Sequence, residues 1–397
     1  MSLSAPNTPD FPLVSLRPVT NHRHAWCALL LGAHPAVDVP ALPRLFDECG
    51  LDAAIDGVSC VVPLADPATF GGDLVRQLPA ERIVLLIPMS CCCDPAAAAD
   101  LERLQRLGYR LMAQGVPETG QKLPSAVSAL AIEIGSAAAE HAGLPGMLKQ
   151  LPGPHLALGV DSHTSLARAF ALGCSHCAGE YPLHPLHAPQ QGQSRALLLK
   201  LLALVTSDAD SHAIELLLKQ APTLSYQLLK LVNSVSFSLN TKIANFGHAI
   251  TLLGRRQLQR WLQLLLYAQQ GGEQRNPLLA CAALRASLTE ALSQASGGDR
   301  EEQERAYMVG MFSLLDVLFA MPMVDIVAPL NLAEDVVAAI MQRSGRLGAL
   351  LSIVEQSERT PTPDFAGQLT ALGLTPAGYC RSLAIACRWT IQVSQGN

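Results

Sequence analysis

Residues 228–266, LLKLVNSVSFSLNTKIANFGHAITLLGRRQLQRWLQLLL, decide the reading of the second half of this chain. An apolar run from Leu228 to Val235 gives way to small polar residues, Asn233, Ser234 and Ser236, studded with Phe237 and Leu239. Ile243 lies in a short link. The amphipathic turn His248-Ala249-Ile250-Thr251-Leu252-Leu253 then closes on Gly254, a helix-stop signal. The run after it carries Arg255, Arg256, Gln259 and Arg260 on one side and Leu258, Trp261, Leu262, Leu264, Leu265 and Leu266 for packing. The stretch reads as helix, loop, short helix, long helix.

Working outward, the chain has 397 residues, long for one compact domain, so two are expected. Hydrophobic residues make up 49% and charged residues 15%, enough for sizeable cores and against disorder. The net charge of −5 holds no basic excess that would draw nucleic acid or an anionic membrane. MSLSAPNTPDFPLVSLRPVT lacks a charged start followed by an apolar core, so no secretory leader is expected. Apolar runs such as Leu197–Val205 fall short of the ~20 residues that span a bilayer. Eleven cysteines without framework spacing fit reduced thiols in a cytoplasm.

Before about Pro185, short apolar runs alternate with helical ones. Cys60–Leu64, Ile83–Pro88 and Leu130–Ile134 read as buried strands; Leu74–Leu78, Ala96–Leu107 and Ala137–Gln150 read as helices. Such alternation implies crossover connections and a mostly parallel sheet. The turn-rich segment 187–194 is the expected linker, dividing an α/β domain at 1–186 from an all-α domain at 195–397. Past it, Leu278–Gln294, Glu301–Met321, Leu332–Arg343, Leu347–Glu355 and Pro376–Val393 carry the i, i+3, i+4 spacing of helices on one core.

The pattern LxxLVNS…F…I…AI.LLG…L..W in residues 228–266 resembles the HDOD domain, a relative of the HD superfamily. The first half resembles an EAL domain, the barrel fold that hydrolyses cyclic di-GMP. Arg17-Pro18-Val19, Trp26-Cys27-Ala28-Leu29-Leu30, the strand at Ile83–Ile87 and Leu104–Leu111 carry that likeness in order. So do Leu156–Asp161 and Gly173–Tyr181 with Pro185. The resemblance implies two divalent cations held by carboxylates and an amide at strand ends. Against it, the signature Glu falls on Cys27, and the Asn and Glu of the next strands fall near Pro63 and Leu86. The paired Asp positions fall around Ala113 and Gln114, the Lys near Ala131, a later Glu on Leu158 and the Gln on Ala178.

HD hydrolases need a His, a His-Asp pair and a distant Asp. Ser313 and Leu314 stand where the pair is expected, no His occurs at Leu284–Ala286, and Asp316 alone remains. Cys174, Cys177, His184 and His187 have zinc-ligand types but too short a spacer. The chain is therefore expected to be α+β and multidomain: a degenerate EAL-like barrel, then an all-α HDOD domain. No catalytic residue, cofactor or metal is expected. A cytoplasmic, non-catalytic signalling role through a protein partner follows, with Asn233, Ser234, Phe237, Arg255, Arg256 and Arg260 as its surface. The alternatives are a catalytically dead receptor for cyclic di-GMP or another nucleotide, and a metal-dependent phosphodiesterase or phosphohydrolase with non-standard ligands.

Overall fold

The computed structural model describes residues 11–33, 41–118, 121–184, 200–204, 206, 214, 216–217, 257, 259–267, 276–330, 332–359 and 362–395. Eight strands close a barrel in chain order: β1 (Val14–Asn21), β2 (Trp26–Ala33), β3 (Ser59–Pro63), β4 (Ile83–Pro88), β5 (Arg110–Gln114), β6 (Val127–Glu133), β7 (Leu156–Leu158) and β8 (His176–Cys177). Neighbours from β2 to β8 are parallel, while β1 runs antiparallel to both β2 and β8. The first half is short for eight strand–helix units, yet the β1–β8 pairing closes it.

Sequence dictates this locally. In β4, Ile83–Ile87 are all buried, because a parallel strand is covered on both faces and reads as one apolar run. Ala28, Leu30, Val61, Val84, Leu86, Ala129, Ala131 and Leu158 fill the interior, and their sequence neighbours face the outer helices. The longer outer helices are α1 (Leu42–Asp47), α2 (Ala98–Arg106), α3 (Leu144–Gln150) and α4 (His163–Leu172). Helix α4 opens on a capping box, with Ser162 Oγ accepting from Ser165 N and Ser165 Oγ from Ser162 N, and stops at Gly173 in the left-handed region. The expected helix 137–150 is two pieces, a 3-10 turn at Ala137–Glu140 and then α3, which starts on Leu144 and Pro145.

The helical half contains α5 (Pro277–Ala295), α6 (Arg300–Phe312), α7 (Glu334–Gln342), α8 (Gly345–Ser357) and α9 (Pro376–Gln395). The run expected as one helix over 301–321 breaks at Ser313 and Leu314. There the Ser313 hydroxyl turns back to donate to Gly310 O (2.8 Å), and a short helix resumes at Leu315–Phe319. One core, with Leu262, Leu266, Tyr267, Phe312 and Ile340, lies within this half. Another is shared: Leu284, Leu288, Val354, Tyr379 and Leu383 join the same cluster as Leu16, Leu29 and Leu31 of the barrel. Burying each large apolar side chain is worth about 1.5–3 kcal/mol, so this seam holds α5, α8 and α9 on the barrel. Among the described residues, no helix is long and apolar enough to cross a membrane.

Candidate functional site

The strands end at a mouth. Pro63 and Gln114 close β3 and β5, Glu133 and Leu158 close β6 and β7, and Gly179 follows β8. These residues, with Leu86, Leu30, Trp26 and Arg17, line a cavity of about 490 Å3. In parallel α/β barrels, binding chemistry is built at this carboxyl-terminal rim.

Two glycines shape it. A Cβ on Gly159, which has φ +64°, would fall 1.9 Å from Glu133 Oε1, so the carboxylate sits directly against the backbone. A Cβ on Gly179 would lie 2.3 Å from Val160 O, where the β7 and β8 exits are laced together. Val160 N donates to Ala178 O (3.2 Å), Tyr181 N to Val160 O (3.0 Å) and Glu180 N to Asp161 Oδ1 (3.1 Å). That lacing places Asp161 and Glu180 on the rim.

Arg17 is a cation within the mouth. Burial lowers its pKa, while Glu133 and then Asp161 act to raise it. Its Nε is buried without a hydrogen-bond partner. A guanidinium thus serves as counter-cation to two of the four carboxylates around the cavity. Among the described residues, no three or more His, Cys, Asp or Glu are grouped so as to hold a metal ion.

The positions taken from the EAL pattern converge here. Pro63, Leu86, Gln114, Leu158 and Ala178 all line the cavity, and Ala131 lies in the barrel interior. Ala113, by contrast, faces the outer helices. Cys27 is the extra residue of a bulge: Val19 pairs with Ala28 and Thr20 with Trp26, skipping it. Its thiol donates to Val19 O (3.3 Å) and is pushed up to about 12 by burial. Burial thus disfavours its thiolate, the form that acts as a nucleophile.

The helical half forms the lid. Cys281 and Leu284 of α5, with Glu358 and Arg359 just past α8, complete the cavity wall. Arg359 grips Glu180 with two bonds, Nε to Oε1 at 2.7 Å and Nη2 to Oε2 at 3.2 Å, across the seam. The hydrogen bond and charge of Glu180 raise the Arg359 pKa.

Behind the lid lies a second centre. The segment Leu284–Ala286, which holds no histidine, presents Arg285, and its guanidinium meets Ser313 Oγ at 3.1 Å. It also grips Glu358 at 2.6 and 2.7 Å and reaches Glu355 at 3.3 Å. Burial alone would lower its pKa; Glu358 and then Glu355 outweigh this and raise it. Arg343 holds the far side of Glu355 at 2.7 and 3.0 Å. Asp316 Oδ1 is buried with no partner. Composition offered one signal for Arg285, a lone charge within the apolar run PLLACAALRASL.

Of the expected interaction surface, Asn233, Ser234, Phe237, Arg255 and Arg256 lie outside the described residues. Arg260 is half-buried. It pairs with Glu290 through both terminal nitrogens and stacks 4.5 Å over the Tyr307 ring. Glu290 opens the literal Glu-Ala-Leu tripeptide at 290–292, and so serves as an ion-pair partner within the helical half. Cys174 and Cys177 are buried thiols pushed up to about 11 and about 12 by burial, and His187 lies outside the described residues.

The HDOD domain matches residues 195–325. The chain is 28% identical over 188 residues, 47% of its length, to the cyclic di-GMP phosphodiesterase CdgJ of Vibrio cholerae. It is 31% identical over 140 residues, 34% of its length, to the uncharacterized protein YuxH of Bacillus subtilis. The matched stretches span 43% and 34% of those relatives, less than half of either. Among solved structures, the EAL domain of Mycobacterium smegmatis DcpA covers 42% of this chain and 90% of its own, at 15% identity and TM-score 0.33. A putative phosphohydrolase from Shewanella amazonensis covers 53% of this chain and 94% of its own, at 17% identity and TM-score 0.34. An eight-stranded barrel is followed by a stretch, helical where it is described, that matches the HDOD domain at residues 195–325.

Proposed function

We propose that this chain is a non-catalytic regulator in cyclic di-GMP signalling, acting through contacts between its halves and with a protein partner. The observation that carries the proposal is the makeup of the barrel mouth. Pro63, Leu86, Leu158 and Ala178 line it, Arg17 sets a cation among its carboxylates with Glu133 and Asp161 acting on it through charge, and α5 and the end of α8 close over it. Two hard cations would need several convergent carboxylates free of such a competitor. The partner surface is assigned to the polar segment with Asn233, Ser234 and Phe237 and to the run with Arg255, Arg256 and Arg260. The domain limits 1–186 and 195–397 belong to the same proposal, with 187–194 as linker.

Purified protein incubated with Mn2+ or Mg2+ and cyclic di-GMP is expected to leave the nucleotide intact. Metal-dependent release of the linear dinucleotide would overturn the proposal. A second reading, a nucleotide receptor without turnover, is favoured by the unpartnered Arg17 Nε in a cavity of about 490 Å3. Calorimetry with cyclic di-GMP separates the two: saturable heat that is lost in Arg17→Met selects the receptor, and its absence above micromolar concentrations rejects it.

A further inference from the structure

The barrel mouth holds two opposite charges that the described residues leave unengaged. Glu133, the last residue of β6, lines the cavity with its carboxylate against Gly159. Its side chain makes no hydrogen bond or ion pair among the described residues. Arg17, on β1, lines the same cavity; its guanidinium donates no hydrogen bond among the described residues, and its Nε is buried without a partner. Elsewhere on the rim the charges are taken up: Arg359 holds Glu180, Arg285 holds Glu358, and Asp161 Oδ1 accepts from Glu180 N. Leu30, Leu86, Leu158 and Ala178 supply apolar walls to the same cavity.

We propose that the mouth receives a zwitterion with an apolar body, of the free amino-acid or dipeptide class, its carboxylate on Arg17, its ammonium on Glu133 and its side chain on the leucines. The proposal rests on the non-catalytic reading, because divalent cations held at the mouth would claim Glu133. Charge selects the class. Four carboxylates line the cavity against two guanidiniums, so a dianionic phosphodiester meets net repulsion there, whereas a zwitterion adds no net charge. A simple amine would satisfy Glu133 and leave Arg17 bare, and a simple anion would do the reverse. An enclosed charge without a partner is costly, so a ligand that brings both groups outbinds one that brings either alone. The guanidinium offers a fork of donors that matches a carboxylate, and Glu133 offers acceptors to an ammonium. The walls then favour a leucine-like side chain over none.

Full-length protein is titrated by calorimetry with L-leucine and with leucyl-leucine, and in parallel with glycine and with the methyl ester and N-acetyl derivative of each leucine probe. Saturable heat is expected with at least one of the two leucine zwitterions, and the one that gives it tells free amino acid from dipeptide. Glycine is expected to bind more weakly. Removing the carboxylate as the ester, or the ammonium as the acetyl derivative, is expected to weaken binding about tenfold or more, since each deletes a hydrogen bond between charged groups. Arg17→Met should abolish the advantage of the free carboxylate, and Glu133→Gln that of the free ammonium. The ligand series on the unaltered chain needs no variant, so it decides the matter even where a substituted chain misfolds. No saturable heat with either zwitterion at millimolar concentrations overturns the proposal, as does equal binding of a blocked derivative. Either result, with cyclic di-GMP left intact in Mn2+ or Mg2+, sinks the zwitterion and spares the non-catalytic reading; metal-dependent release of the linear dinucleotide sinks both.

Discussion

Two arginines sit near the seam between the halves, each beside two carboxylates. Arg285 is packed inside the helical half, its side chain 7% exposed, with every arm of its fork engaged by Glu358, Glu355 or Ser313. Arg17 faces a cavity with an unpartnered Nε, and its two carboxylates act on it through charge. The first centre has been filled by protein; the second has been left hollow under a lid. A filled centre serves packing and registers α5 against α6 and α8. A hollow one keeps room for something outside the chain. The contrast predicts opposite responses to the loss of the guanidinium.

The largest effect belongs to Arg285→Ala. It strands Glu358 and Glu355 at the seam and should cost about 3–5 kcal/mol in denaturant unfolding, the usual penalty for breaking a buried pair from one side. A loss below about 1 kcal/mol would mean that water reaches this centre as freely as it reaches the mouth, and the comparison would collapse. Replacing Arg285, Glu355 and Glu358 together by apolar residues of similar size should recover much of that loss.

Gly310→Ala tests the same centre through the backbone. A Cβ there would lie 2.4 Å from Arg285 O and 2.7 Å from the Ala286 Cα, so α5 and α6 cross with no room for a methyl group. Overpacking of this kind costs about 1–3 kcal/mol, against the roughly 1 kcal/mol that alanine gains in a helix. A lowered melting midpoint is expected. A raised one would show that the crossing slides freely and that Arg285 is not held in register by it.

The barrel and its mouth were legible from the chain because barrel strands announce themselves as short apolar runs, and because the resemblance fixes an order. Pro63, Leu86, Gln114, Leu158 and Ala178, drawn from scattered segments, line one cavity. What escaped was anything set by pairing across the chain. Arg285 reads as an isolated charge until α8 brings Glu355 and Glu358 to it. The lid escaped for the same reason: an apolar stripe on α5 shows that something is covered, not that it is a barrel mouth. The break at Ser313 was hidden because Phe312, Leu314 and Leu315 continue a helical apolar pattern through it.

At the hollow centre, Arg17→Met should change stability by less than about 1 kcal/mol. Glu133 and Asp161 lose a counter-cation but remain beside a cavity that water can enter, where charge interactions are weak. The measurement is again the unfolding midpoint, and a loss on the scale of Arg285→Ala would make the mouth a second structural ion-pair centre. The calorimetric arm of the same variant then decides whether the spare Nε serves a ligand.

The smallest effect is expected at the rim. Arg359 is 70% exposed and Glu180 35%, so their fork-to-fork pair is well oriented but bathed in water. Exposed pairs contribute about 0.2–1 kcal/mol and weaken with salt. Arg359→Ala should therefore lower stability by a few tenths of a kcal/mol at low ionic strength, and by nothing measurable at ~1 M salt, where the Debye length shrinks to about 3 Å. The apolar seam of Leu284, Val354 and Leu383 against Leu29 and Leu31 then carries the docking, with the ion pair acting as a guide to register. A salt-independent loss above about 2 kcal/mol would reverse that division, making the Arg359–Glu180 pair the clamp that keeps the lid over the mouth.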